Sequence, residues 1–317
     1  AVRYKRDAAS KRVAVLGTVN PVYLRVLRTL VSPQSIECEV IPFDDTMGVV
    51  DQAYLDSMDK QAFDAVVIMQ PNFFGCIESV DALVDWAHAQ GALAIGVVNP
   101  IAMALLKPPG DWGAEGCDIA CGEGQPLGVP MSFGGPYIGF MACKQALVRQ
   151  MPGRIVGRTS DSEGREGFVL TLQAREQHIR RGKATSNICT NQGLLVVAAT
   201  MYMSLLGPEG LRRVALACCH NTQYLLKVIQ DIPGVKRRFT APVFHEALIV
   251  TKSSVGDLVG NMARKGVLAG LPLCDDFKDL GNTLLVCATE VHDKDAIDDY
   301  ARLLHQSMVQ GMGGLVW

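Results

Sequence analysis

The stretch RVAVLGTVNPVYLRVLRTL (12–30) decides the fold. An apolar run of strand length ends in Gly17, and Asn20-Pro21 then supplies a helix cap and a residue preset for the first helical turn. VYLRVLRTL follows with apolar side chains at helical spacing. The same unit recurs down the chain. IECEVIPF (36–43) and DAVVIMQP (64–71) read as strands, with AYLDSM (53–58) as a short helix between them. ESVDALVDWAHAQ (78–90) reads as an amphipathic helix closed by Gly91, LAIGVV (93–98) as a buried strand and PIAMALL (100–106) as another short helix. Strands alternating with helices across short turns predict an α/β fold with a mostly parallel sheet and helices on both faces. Such sheets bind ligands beyond the carboxyl ends of their strands. The ligand-end segments are then QPNFFGC (70–76), Asn99-Pro100 and the Gly-rich stretch 122–136.

The second half changes character. GEGQPLGVPMSFGGPYIGF (122–140) reads as a loop system, because Gly and Pro interrupt any periodicity. FVLTL (168–172) reads as a short strand, and 172–192 is dense in polar groups. Two helical stretches between 193 and 232 are interrupted near Gly207-Pro208. Beyond Ile232-Pro233-Gly234, APVFHEALIV (241–250) and LLVCATE (284–290) read as strands. The helices there run over 254–265, with Ser254 and Asp257 as a capping box, and over 293–309. The chain thus divides into a large α/β domain over 1–232 and a small C-terminal α/β domain over 233–317.

Composition narrows the function. With 317 residues, 49% hydrophobic and 20% charged, the chain buries a core without staples and is neither disordered nor fibrous. Thirty basic against 32 acidic residues leave a net charge of −2, which gives no general pull toward nucleic acid or anionic membrane. No uninterrupted apolar run reaches the length of a bilayer span. AVRYKRDAASKR lacks the apolar segment of a secretory signal and an initiator Met, so the start is expected to be a processed end or a cut. Among ten cysteines, Cys117-x3-Cys121 is the one close non-adjacent pair, and no second pair completes a zinc-like set. Free thiols in a reducing cytoplasm, with no metal centre, are the expectation.

Neither Gly122-x-Gly124 nor Gly134-Gly135-Pro136 fits a phosphate-loop or dinucleotide pattern. No nucleophile elbow or zinc-protease helix is present. The concentrated feature is the segment 175–183, where Arg175, Arg180, Arg181 and Lys183 face one acid, Glu176, with His178 among them. If 173–181 is helical, Gln177 and Arg181 share a face, as do Arg175 and His178. Thr185, Ser186, Asn187, Thr190 and Asn191 add hydrogen-bonding groups. Charge runs are usually solvated. This one also suits a carboxylate, a phosphate or a partner's acidic surface.

Four stretches carry a resemblance: QPNFFGCIE (70–78), LLKPPGDWGAEGCDIACGEGQPLGVPMSFGGPYIGFMA (105–142), MPGRIVGRTSDSEGREGFVLTLQAREQHIRRGKATSNICTNQ (151–192) and LLVCATE (284–290). Together they resemble the glycine dehydrogenase (decarboxylating) P-protein of the glycine cleavage system, in its alpha, or subunit 1, form. The resemblance implies a fold-type-I, aminotransferase-like architecture of the pyridoxal-phosphate (PLP) enzymes. It also implies an amino-terminal arm and a first part of the large domain that this sequence does not include. The implied activity is decarboxylation of glycine and transfer of the aminomethyl group to the lipoyl arm of H-protein, with PLP as electron sink.

Two positions depart from a working PLP site. Where the catalytic sister subunit of the family has its imine-forming Lys, five residues before a loop-opening Pro, this chain counts back from Pro130 to Gln125. Where fold-type-I enzymes place an Asp against the pyridine nitrogen, the strand end GVVNP offers Asn99. The resemblance therefore implies a degenerate cofactor site here, PLP on a partner subunit 2, and a complex that also meets H-protein and glycine. The positive density of this segment in a chain of net charge −2 makes Arg175, Glu176, His178, Arg180, Arg181, Lys183, Thr185, Ser186 and Asn187 the candidates for facing the partner's active site or the substrate. Two other readings stay open: a self-sufficient transaminase- or desulfurase-like PLP enzyme, for which Lys183 is the lysine in a motif-like setting, and a purely structural subunit.

Overall fold

The computed structural model describes residues 1–5, 10–58, 63–187 and 191–312. A short turn of helix, α1 (Val2–Lys5), precedes the alternating units β1 (Arg12–Leu16), α2 (Pro21–Val31), β2 (Glu37–Ile41), α3 (Gln52–Ser57), β3 (Ala65–Gln70), α4 (Val80–Ala89) and β4 (Leu93–Val98). Asn20 caps α2 by accepting from the Val22 amide, with Pro21 in the first turn, as its sequence predicts. With β5 (Ile119–Glu123) and β6 (Gly139–Cys143), the strands form one sheet in the order β2-β1-β3-β4-β5-β6. All neighbours are parallel except the edge strand β6. β3 lies at the centre because AVVIMQ buries nearly every side chain, the pattern of a strand covered on both faces.

Coverage of the two faces is unequal. α4 turns Val80, Leu83, Val84 and Ala87 inward, one stripe at helical spacing, and Trp112 fills in beside it. On the other face α2 buries none of its side chains. There Val15, Val67, Ile95, Val97 and Phe140 line an open apolar groove of about 430 Å³ with Tyr23, Leu24 and Leu27.

Local differences from the sequence-based expectation have physical causes. The helix expected over 100–106 is a single 3-10 turn, Ala102–Ala104, because Pro108 and Pro109 stop it soon afterwards. The loop expected over 122–140 is flanked by strand ends that its glycines concealed, β5 and β6. The strand expected over 168–172 falls on β8 (Glu166–Thr171), which stops short of Leu172 and pairs with the unforeseen β7 (Ile155–Ser160) in an antiparallel hairpin. Asp161 closes the hairpin turn by accepting from the Glu163 and Arg165 amides. The helix considered over 173–181 does not form. A 3-10 turn (Gln173–Arg175) and the single turn α5 (Gln177–Arg180) stand in its place, and Arg181 leaves the helical region at φ 51°. Gln177 and Arg181 therefore share no helix face.

α6 (Gly193–Ile229) is broken at Gly207, whose φ of 60° and ψ of −177° only glycine tolerates easily, and Pro208 follows. By length and composition alone α6 would pass for a membrane span. The break leaves 193–206 at roughly 21 Å, short of a bilayer core of about 30 Å, and the second piece carries Glu209, Arg212 and Arg213.

The remaining elements are β9 (Val235–Arg237), β10 (Glu246–Thr251), α7 (Val255–Ala263), β11 (Leu271–Pro272), β12 (Thr283–Cys287) and α8 (Lys294–Met312). Their four strands form an antiparallel sheet in the order β11-β12-β10-β9. Its core is not self-contained. Phe73, Phe74 and Cys76, from the loop after β3, and Leu225, Leu226 and Ile229 of α6 belong to it. The Phe74 ring lies 4.9–5.0 Å from those of Phe43, Phe239 and Phe277. Gly75, at φ 79°, lets the backbones touch, because a Cβ there would sit 2.0 Å from the Glu246 carbonyl oxygen.

Candidate functional site

The ligand end of the large sheet is built by QPNFFGCIE. Gln70 and Glu78 exchange hydrogen bonds, the Glu78 amide donating to Gln70 Oε1 at 2.9 Å. Glu78 Oε1 accepts from Asn72 Nδ2 at 2.8 Å and Oε2 from the Val50 amide at 3.0 Å. Asn72 Oδ1 in turn accepts from the Phe74 and Cys76 amides. Burial raises the Glu78 pKa, while the bonds from Asn72 and Val50 pull it back. These groups are occupied with each other, so the segment is a satisfied structural knot.

Asn99, at the end of β4, is spent on its own turn. Its Oδ1 accepts from the Ile101 and Ala102 amides at 2.9 and 3.3 Å, and its Nδ2 lies 3.5 Å from His245 Nε2. Gln125 is likewise committed: Nε2 donates to the Pro130 carbonyl at 3.0 Å, across the five-residue loop it opens. Neither residue offers what a resident PLP needs. A carboxamide forms no imine, and a neutral amide does not stabilise a pyridinium as a carboxylate would. The residues at these positions do not fit the cofactor.

Beside Asn99 lies a cluster with no signal in the sequence. His245 immediately precedes β10, which Glu246 opens, and Cys287 ends β12 directly opposite Glu246 in the register. Their candidate ligand atoms lie within 4.8 Å of one another. Burial lowers the His245 pKa to about 4, raises Glu246 to about 7 and raises Cys287 to about 12. Near neutral pH the imidazole and thiol are therefore uncharged, and the carboxyl is close to its midpoint. Glu246 and Cys287 open into a cavity of about 780 Å³ along the small sheet. Neither the apolar run HEALIV nor LLVCATE distinguishes these residues from ordinary strand positions, and their pairing across two strands is invisible until the sheet forms.

The polar block gathers in part. Arg175, Glu176, His178, Thr185 and Ser186 line one cavity of about 310 Å³ beneath the β7–β8 hairpin. Arg154 and Gln173 line it too, although the sequence singled out neither. Arg154 immediately precedes β7, so recognising that strand would have drawn it in. Glu176 Oε2 lies 3.9 Å from Arg154 Nε and 3.7 Å from His178 Nδ1. Arg175 Nη1 donates to the Met151 carbonyl. Arg180, Arg181, Lys183 and Asn187 are exposed and lie outside the lining of this cavity, and so is Asn191. Thr190 lies outside the described residues.

A parallel sheet with an antiparallel edge, ligand-end loops and a small antiparallel α/β unit define the class: fold-type-I, PLP-linked α/β proteins. A sphingosine-1-phosphate lyase from Burkholderia pseudomallei shares this fold at a TM-score of 0.68 and 16% identity, over 98% of this chain and 66% of its own. The family model described as the glycine cleavage system P-protein matches residues 1–304, and the chain belongs to that family. Its relatives include a probable glycine dehydrogenase (decarboxylating) subunit 1 from Nitrosomonas europaea, 56% identical over 97% of this chain and 68% of the relative. The protein of the same description from Methylococcus capsulatus is 53% identical over 96% of this chain and 67% of its own length. A crystal structure of glycine decarboxylase (P-protein) in inhibitor-bound form matches at a TM-score of 0.87 and 36% identity, covering 96% of this chain and 68% of that one.

Proposed function

We propose that this chain is the subunit of a two-subunit glycine decarboxylase that does not hold PLP, and that it completes the active site of a PLP-carrying partner. The observation that carries the reading is the pair Gln125 and Asn99. Both are carboxamides where an amine and a carboxylate are required, and both are tied into their own loops. The complex would decarboxylate glycine and pass the aminomethyl group to the lipoyl arm of H-protein, the bond-breaking being the partner's. This chain's part is positioning. Exposed Arg180, Arg181 and Lys183 offer positive charge to a carboxylate or an incoming acidic carrier, and Thr185, Ser186 and Asn187 offer hydrogen bonds. The nine cysteines among the described residues are free, which suits the reducing cytoplasm in which we place the complex.

Glycine–bicarbonate exchange tests this. Each subunit alone is expected to be silent and the two together active. Arg180→Ala/Arg181→Ala is expected to lower exchange by at least about tenfold, the loss of one or two charge-assisted contacts. Exchange by this chain alone, or full exchange and assembly in the double variant, would overturn the respective part.

A further inference from the structure

His245, Glu246 and Cys287 have no role in the proposed function, yet three different metal-binding chemistries meet there. Their candidate ligand atoms lie within 4.8 Å of one another. Glu246 and Cys287 are partners in the β10–β12 register, which sets both side chains on one face of the small sheet. His245 stands just before β10, outside the strand alternation, and the Ala288 amide donates to its carbonyl at 3.1 Å, tying it to the end of β12. The Glu246 carboxyl is desolvated, with no hydrogen bond or counter-charge answering it among the described residues. His245 Nδ1 has no hydrogen-bond partner there either, and Nε2 meets Asn99 Nδ2 only at 3.5 Å. Buried polar groups are nearly always paired, so neighbours left open together point to a shared occupant. The packing around them suits an ion seated among side chains. Glu246 and Glu290 act electrostatically on Cys287, and Glu290 on His245, so the local potential favours a cation. Glu290 itself accepts from the Cys218 thiol at 3.2 Å.

We propose that His245, Glu246 and Cys287 bind a Zn²⁺ ion, with a water molecule from the adjoining cavity in the fourth position. An imidazole nitrogen, a carboxylate oxygen and a thiolate form the mixed donor set that zinc takes, whereas Mg²⁺ and Ca²⁺ need oxygen ligands. Bonds of about 2.0–2.3 Å around a tetrahedral ion hold ligand atoms about 3.5 Å apart, so a set no wider than 4.8 Å closes by no more than about 1.3 Å. Rotation of the Glu246 and Cys287 side chains covers that distance. On binding, Cys287 releases its thiol proton to solvent and coordinates as the thiolate. Glu246 and Cys287 border the cavity of about 780 Å³, which admits the ion and leaves room for the water. The ligands come from the ends of two strands, so no spacing pattern announces them. The site stands apart from Arg180 and Arg181, and the inference is independent of the proposed function.

The test is titration of the reduced, metal-stripped full chain with Zn²⁺ against a chromophoric chelator, with Mg²⁺ as competitor and Co²⁺ as spectroscopic probe. One Zn²⁺ per chain is expected, undisturbed by equimolar Mg²⁺, and Co²⁺ should show the near-ultraviolet charge-transfer band of a thiolate ligand. Cys287→Ser is expected to abolish the band and to weaken Zn²⁺ by at least about a hundredfold, more than the loss of an outer-shell partner costs. Glu246→Gln and His245→Gln should weaken Zn²⁺ while keeping the band. Cys38→Ser, on the edge strand β2, should change neither. Should His245→Gln fail to fold, the nearly isosteric Cys287→Ser and Glu246→Gln decide the matter. Absence of a stoichiometric Zn²⁺ site, binding indifferent to Cys287→Ser and Glu246→Gln, or Mg²⁺ competing on equal terms overturns the inference.

Discussion

His245 and Glu246 are chain neighbours that answer pH in opposite senses. The fold holds a proton on Glu246 up to about 7 against an ordinary 4.5, so its contribution to stability falls as pH rises through that window. It keeps His245 neutral down to about 4 against an ordinary 6.5, so that contribution is lost as pH falls through its own window. Between 4.5 and 6.5 the two slopes oppose each other. Glu246→Gln removes one of them. The variant should melt higher than wild type at pH 8 and lose that advantage by pH 4.5; an advantage independent of pH would show that burial of the charge is not the cause. Gly75 makes a steric prediction. Gly75→Ala, strained at φ 79° and driven into the Glu246 carbonyl, should cost about 3 kcal/mol or more in urea unfolding. Legibility at this scale follows chemistry. Asn99 and Gln125 stand out only through the resemblance, which expects a different functional group at a definable strand end and loop. Glu246 does not, because its burial and its Cys287 neighbour arise only from strand pairing.

Among the elements, the early strands were readable since each is a compact apolar run set off by turn residues. β5 and β7 were not: IACGE and IVGRTS are too short, small or polar to stand out, and pairing with β4 and β8 makes them strands. The segment 173–181, where a helix was one possibility, differs in the other direction. Its spacing allows a helix, yet the left-handed backbone at Leu172 and Arg181 brackets it into short turns. That is what brings Arg175 and Glu176 into one cavity lining while Arg180 and Arg181 stay exposed. In α6 the interruption at Gly207-Pro208 was legible. Gly207→Ala forces a residue with a Cβ into φ 60°, ψ −177°, and should lower stability by about 1–3 kcal/mol in thermal unfolding; a neutral result would mean that the break can straighten.

The two sheets meet as one body. Phe73, Phe74 and Cys76 leave the large sheet to sit in the core of the small one, and the chain from β12 back to α6 is laced by Asn221 and Thr222 bonds to the 288–292 carbonyls. Calorimetry should therefore show a single cooperative transition, whereas two resolved transitions would mean that the shared core is weaker than its burial implies. The vestigial corner has one more implication. Gln125→Lys would keep a donor on the side chain that now reaches the Pro130 carbonyl, and Asn99→Asp would keep an acceptor for the two amides beyond it. Restoring both would leave the surrounding architecture nearly undisturbed. On the proposed reading the missing chemistry would be dormant and not demolished, and the scaffold a natural starting point for an engineer who wants to awaken it.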